Sequence, residues 1–236
     1  MQPDRKTLCT RALDPQLISK AAVHHVTIDV LPFIEIKKID SPEFIQQVDQ
    51  LAQQRLQVIF TSNNAVESVA AFLPEKHNWK IHCLGGATKD AVVKHFGKEI
   101  IVTSAKSASL LAKKIIEQGD IKEVTFFCGD QRLDDLPETL GSSNITVHEV
   151  IAYSTLQTPH EVQEDYDGIL FFSPTAVHSF FSINTIRTDV VLFSIGRTTS
   201  ATIQSYCNNK VVTSEWPGQE SLVDKVLAYE WDGHEV

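Results

Sequence analysis

Val58-Ile-Phe-Thr-Ser-Asn-Asn-Ala-Val-Glu-Ser68 and Ile169-Leu-Phe-Phe-Ser-Pro-Thr-Ala-Val-His-Ser179 are one pattern written twice, 111 residues apart. At the same offset Gly85-Gly-Ala-Thr88 falls on Gly196-Arg-Thr-Thr199. Within one residue of it, Val102-Thr-Ser104 falls on Val212-Thr-Ser214. Each copy is a short apolar run, a small polar turn, then a stretch with helical periodicity. Such a repeat predicts two domains of one architecture, with a ligand site between them.

Ten strand candidates alternate with helix-like stretches. They cover 7–10, 26–31, 58–61, 81–84, 100–103, 124–128, 145–151, 169–172, 190–195 and 211–213. Several are near-continuous runs of β-branched and aromatic residues, as strands covered on both faces require. Between them, Ala65, Val66, Val69 and Phe72, or Leu110, Leu111, Ile115 and Ile116, follow a helical period. Alternation of this kind predicts an α/β fold of doubly wound parallel sheets. The strands at 58, 81 and 100 match those at 169, 190 and 211. The pair at 124 and 145 matches the opening pair at 7 and 26, at offsets of 118–119. The repeat is therefore permuted, and one domain is split around the other. The expected units are 1–37 plus 160–236, and an inserted 41–155. The chain crosses between them near 36–42 and 154–161, each crossing carrying a proline.

With 42% hydrophobic and 22% charged residues, the chain has the composition of an ordinary globular protein. No apolar run reaches the ~18 residues that span a bilayer, and the opening Met1-Gln-Pro-Asp-Arg-Lys6 lacks a signal-peptide core. The expectation is a cytoplasmic protein. A net charge of −9 argues against broad binding to nucleic acid or an anionic membrane. Cys9, Cys83, Cys128 and Cys207 lie far apart, with no spacing for a disulfide framework or a zinc site. A monomer is the default.

In open α/β sheets, ligands sit at the carboxyl ends of the strands, where helix N-termini present free N–H groups. The residues there are Thr10-Arg11, Thr61-Ser62-Asn63-Asn64, Gly85-Gly86-Ala87-Thr88 and Gly129-Asp130, with Arg132 nearby. In the second copy they are Ser173-Pro174-Thr175 and Gly196-Arg197-Thr198-Thr199. Glycines let a backbone approach a ligand, and hydroxyls donate beside the N–H groups, which suits carboxylates or phosphates. The same residues are also good helix caps, and capping alone explains any single turn. Asp130, Asp134 and Asp135 cluster as hard-cation ligands would, but acids in a first helical turn need no metal. No phosphate loop, dinucleotide fingerprint or nucleophile elbow is present. Tyr153 ends a strand beside the second crossing, where its hydroxyl can serve either a ligand or an interface.

These turns, in this order, resemble those of uroporphyrinogen-III synthase. The matching stretches are Phe60-Thr-Ser-Asn-Asn-Ala-Val66, Leu84-Gly-Gly-Ala-Thr88, Cys128-Gly-Asp-Gln-Arg132 and Val150-Ile-Ala-Tyr-Ser154. They continue with Phe171-Phe-Ser-Pro-Thr-Ala-Val177, Ile195-Gly-Arg-Thr-Thr199 and Glu220-Ser-Leu-Val223. Departures fall early: Asn63 and Ala12 stand where the family has proline, and a glycine usual near 21–24 is missing. The resemblance implies two flavodoxin-like domains joined by a two-strand connector. It implies a linear tetrapyrrole polycarboxylate, hydroxymethylbilane, as substrate, closed with loss of water and inversion of ring D, without cofactor or metal. Tyr153 is then the candidate to assist departure of the hydroxyl. Thr10, Arg11, Ser62, Asn63, Thr88, Gly129, Arg132, Ser173, Thr175, Arg197, Thr198 and Thr199 are the candidates to bind substrate. The competing expectation is a hinged binding or sensory module that holds an anionic ligand without turning it over.

Overall fold

The computed structural model describes residues 4–216 and 218–231. The opening Met1-Gln-Pro3 and the outer end of the expected split domain at 232–236 lie outside the described residues. In chain order the first half runs β1 (Arg5–Cys9), α1 (Pro15–Val23), β2 (Val26–Val30), β3 (Ile34–Lys38), α2 (Pro42–Ala52), β4 (Gln57–Phe60), α3 (Asn63–Ala70), β5 (Lys80–Leu84), α4 (Ala87–Phe96) and β6 (Ile101–Ala105). There follow α5 (Ala108–Ile116), β7 (Glu123–Gly129), α6 (Asp135–Gly141), β8 (Thr146–Gln157), β9 (Gly168–Phe171), α7 (Pro174–Phe181), β10 (Val191–Ser194), α8 (Arg197–Gln204), β11 (Val211–Thr213) and α9 (Gln219–Leu227).

The chain forms two compact units. One is built from the chain up to Glu35 and again from Leu156 onward, the other from Ile36–Thr155. The first unit holds a parallel sheet in the order β11-β10-β9-β1-β2. The second holds β3-β8-β7-β4-β5-β6, parallel through its five strands from β8 to β6. Laying β2 on β8, β1 on β7 and β9-β10-β11 on β4-β5-β6 makes the two orders identical, as the permuted repeat requires.

Finer features repeat as well. His25 and Asn144, each just before the first residues of β2 and β8, are the non-glycine residues with positive φ, at 58° and 59°. At this position the chain uses a histidine in one copy where a glycine would be relaxed. Ser68 and Ser179 stand at the 111-residue offset, on α3 and α7. Both are fully buried, and neither hydroxyl has a hydrogen-bond partner.

Alternation along each strand sends side chains to two cores per unit. In the second unit, Val58 and Phe60 pack with Phe44 and Val48 of α2, Val66 and Val69 of α3 and Val92 of α4. Ile59 faces the other way, onto Leu111 and Ile115 of α5 and Leu136 and Leu140 of α6. In the first unit Cys9 and Leu170 meet α1 and α9, while Leu8, Ile169 and Phe171 meet α7 and α8. Burial pushes the Cys9 and Cys128 thiols up to about 11, so both are inert hydrophobic filler at neutral pH.

Two elements differ from the sequence reading. β3 is absent from the expected strands, and β8 runs on to Gln157 where a strand ending at 151 is expected. The far half of β8 pairs with β3, with Ile39 N–H donating to the Ala152 carbonyl and Thr158 N–H to the Phe33 carbonyl. Ile34-Glu-Ile-Lys-Lys38 is largely exposed and offers no buried face, and beyond Ala152 the far half of β8 is half-buried and then exposed. Pairing of the backbone, not apolar periodicity, makes them strands.

His82 on β5 is fully buried opposite Ile59, with its Nε2 2.9 Å from Gln57 Oε1. Burial and, secondarily, the Lys80 charge lower its pKa from 6.5 to about 4. The folded state thus holds His82 neutral while the unfolded chain takes up a proton below pH 6.5. Stability is lost as pH falls from about 6.5 to about 4, by about 3 kcal/mol from this group. Urea unfolding should show that His82→Phe, whatever its stability at pH 7, lacks this component of the acid slope. An unchanged slope would contradict it. Ser68→Ala and Ser179→Ala should each raise stability by about 1 kcal/mol, because each removes a buried hydroxyl without a partner. A lower urea midpoint in either would show that the hydroxyl is satisfied in solution.

Candidate functional site

Parallel strands put every strand-to-helix turn of a unit along one edge of its sheet. Two of these turns are capped in the ordinary way. The Ser62 side chain accepts the Asn64 N–H at 3.1 Å, and the Ser173 side chain accepts the Ala176 N–H at 3.2 Å. Proline occupies the first turn of α7, and Asn63 takes the corresponding place in α3. Asn63 is exposed and Thr175 half-buried.

The turns that open α4 and α8 are different. Their N-caps are Gly86 and Gly196, and neither helix start receives a side-chain cap. Gly85, Gly86 and Ala87 are exposed while Thr88 is buried, and Gly196-Arg197-Thr198-Thr199 repeats the pattern, with Arg197 and Thr198 exposed and Thr199 buried. Gly86 has φ +65°, a left-handed conformation that glycine adopts without strain. In both copies a helix starts without a side-chain cap beside exposed residues, Gly86 and Ala87 in one and Arg197 and Thr198 in the other, a start that suits an anion.

Tyr153 sits at the same edge of the second unit. The ladder from β7 to β8 pairs Cys128 with Ile151 and then Gly129 with Tyr153, so Ala152 is a bulge. A bulge breaks the strict alternation and re-aims the next side chain. Tyr153 accordingly packs against the same core as Ala152, with its ring over Gly129. Its backbone is held by the Asp130 N–H, which donates to the Tyr153 carbonyl at 3.1 Å. The Asp130 carboxylate accepts the Thr155 N–H at 2.9 Å and fixes the strand just beyond. Burial pushes the Tyr153 phenol above its usual value of 10, against a smaller downward pull from a hydrogen bond with the Ser62 side chain.

Several candidates are placed differently from the sequence expectation. Thr10 is wholly buried and its hydroxyl donates to the Leu170 carbonyl at 2.8 Å, so it ties β1 to β9 instead of facing a ligand. Gly129 is buried beneath the Tyr153 ring and does not present open backbone. Arg132 is already engaged: its Nε donates to Glu149 at 2.7 Å, and Asp134 holds the other side of the guanidinium. A substrate carboxylate would have to displace one of them. Asp134 is thereby committed to Arg132 and to the start of α6, and among the described residues no three His, Cys, Asp or Glu side chains are grouped to hold a metal. Arg11 and Arg197 are exposed, Arg11 lying over the Phe172 ring at 5.4 Å.

Sequence reasoning missed the contact between Gly129 and Tyr153. The signal available was a glycine ending a buried strand where the repeat places Thr10. A cavity of about 720 Å³ lies elsewhere in the second unit, against the amino ends of β4, β7 and β8 and lined by residues such as Arg55, Gln57, Lys122 and His148. It includes none of the turn residues.

No curated protein matches the sequence. Uroporphyrinogen-III synthetase from Helicobacter pylori superposes with a TM-score of 0.67 at 15% identity, over 95% of this chain and 99% of that one. A mutant uroporphyrinogen III synthase from the extremely thermophilic bacterium Thermus thermophilus gives 0.62 at 15% identity, over 94% and 97%. At such identity the structures establish a shared α/β fold. The family model described as uroporphyrinogen-III synthase HemD matches residues 16–224, most of the chain. The chain therefore belongs to the uroporphyrinogen-III synthase family, enzymes of heme biosynthesis that act on a small tetrapyrrole.

Proposed function

We propose that the protein cyclises hydroxymethylbilane with loss of water and inversion of ring D, as a hydro-lyase without a covalent intermediate on the protein. We also read each unit as flavodoxin-like, because the first unit's strands, counted in chain order within it, lie 2-1-3-4-5. The observation that carries the functional reading is the doubled turn. Gly85-Gly86-Ala87-Thr88 and Gly196-Arg197-Thr198-Thr199 each open a helix that has no side-chain cap.

A chain of net charge −9 repels a polyanion at long range. Local donors must therefore supply the affinity, and helix N-termini with adjoining hydroxyls can do so without a basic surface. Each contact is worth about 0.3–1 kcal/mol, so specificity comes from distributing many substrate carboxylates over many turns. Holding the chain of pyrroles in one conformation is the larger part of the task, since orientation decides which closure occurs. The half-buried Tyr153 phenol stays protonated at neutral pH. It is thus a donor to a departing hydroxyl, and not a base. An acid-assisted departure needs no nucleophile, in keeping with buried, high-pKa cysteines.

Freshly generated hydroxymethylbilane should be converted to the type III isomer well above the spontaneous rate. Type I product alone, at the spontaneous rate, would reject the synthase reading in favour of a binding module. Tyr153→Phe should lower kcat about ten- to hundred-fold while the product stays type III. Because the phenol is raised above 10, wild-type kcat should show no basic limb between pH 7 and about 10 that Tyr153→Phe abolishes. An unchanged kcat in Tyr153→Phe would remove the acid role.

A further inference from the structure

We propose that Gly129 is a positioning residue: its missing side chain sets the orientation of the Tyr153 phenol at the carboxyl edge of the second unit. A Cβ built on Gly129 would lie 2.5 Å from Cζ, 2.6 Å from Cε2 and 2.8 Å from the hydroxyl of Tyr153. Carbon atoms cannot approach so closely, so the phenol occupies the volume that any other residue at 129 would fill. The backbone gives no other reason for glycine. Gly129 is not among the residues with positive φ, and it continues the pairing of β7 with β8. Alanine suits a strand, and the three atoms nearest its Cβ would all belong to the Tyr153 side chain.

The ring is also constrained from its own side. The bulge at Ala152 turns Tyr153 toward β7, and the Asp130 N–H bond to its carbonyl holds the backbone there. Rotation of the ring about its own bonds is the remaining freedom, and contact with Gly129 limits it. The phenol then lies beside Ser62, the cap of α3, where the helix start adds donors next to the hydroxyl. A side chain at 129 would swing the ring away from this position and leave the strand intact, because the clashing atoms belong to the far end of a side chain.

The proposal rests on Tyr153 acting in the reaction, and its test separates the two claims. Gly129→Ala should fold, lower kcat about ten- to hundred-fold and change KM little, since a misplacement near 1 Å is enough for losses of that size. Spectrophotometric titration, with Tyr153→Phe as the reference that isolates this phenol, should show its pKa returning toward 10 in Gly129→Ala. In a Tyr153→Ala background, adding Gly129→Ala should lower neither kcat nor the urea midpoint further. Three results would overturn the proposal. They are full kcat in Gly129→Ala with Tyr153→Phe impaired, an unmoved phenol titration, or an equal loss of kcat with and without the ring. Should Tyr153→Phe itself retain full kcat, the acid role fails, and the titration and the stability coupling still decide whether Gly129 sets the ring.

Discussion

Parallel pairing is the constraint on which the rest depends. Five strands running the same way in each unit place all their carboxyl ends along one edge, and each helix that follows begins there. Backbone donors left free at helix starts are thereby collected along one edge instead of scattered over the surface. The buried hydrophobic strands are the reason for this arrangement, because only helices on both faces can cover them. The proposed function follows from that packing: an acidic chain gathers helix starts along one edge of each unit, where anionic groups can bind without a basic patch.

Within that frame one side chain is singled out by three independent features. A bulge aims Tyr153, an amide of the next turn holds its backbone, and a glycine leaves room for its ring. None of these adds much stability. Their common effect is to restrict where a protonated phenol can be, which is what the acid role proposed for it requires. Around it the charged residues are occupied with one another, Arg132 with Glu149 and Asp134, which stiffens the turn after β7.

Much of this was legible in the sequence. The offset between 58–68 and 169–179 showed the repeat, and the match of 124–151 to 7–31 showed its permutation, because buried strands and small turns keep their residue types. The exposed β3 and the far half of β8 were legible only as the two crossings and not as strands with their own bounds, since their strand character comes from pairing with each other and leaves no periodicity. Site residues divided along the same line. Ser62, Ser173, Gly86 and Gly196 stand at helix starts, as local chemistry predicts. Thr10, Gly129 and Arg132 have roles set by partners distant in sequence, at Leu170, Tyr153 and Glu149. No local pattern encodes those partners.

The central claim is the proposal that the tetrapyrrole is taken up at the carboxyl-edge turns, where helices start, and not at the amino ends of the strands. Backbone amide chemical shifts of the labelled protein, followed while the type III product is added under reducing conditions, test it most directly. The account predicts saturable shifts at the turns, at 86–88 or at 196–199, with 55–57 and 120–123 beside the large cavity unmoved. Shifts centred on that cavity, with the turns unmoved, would contradict it.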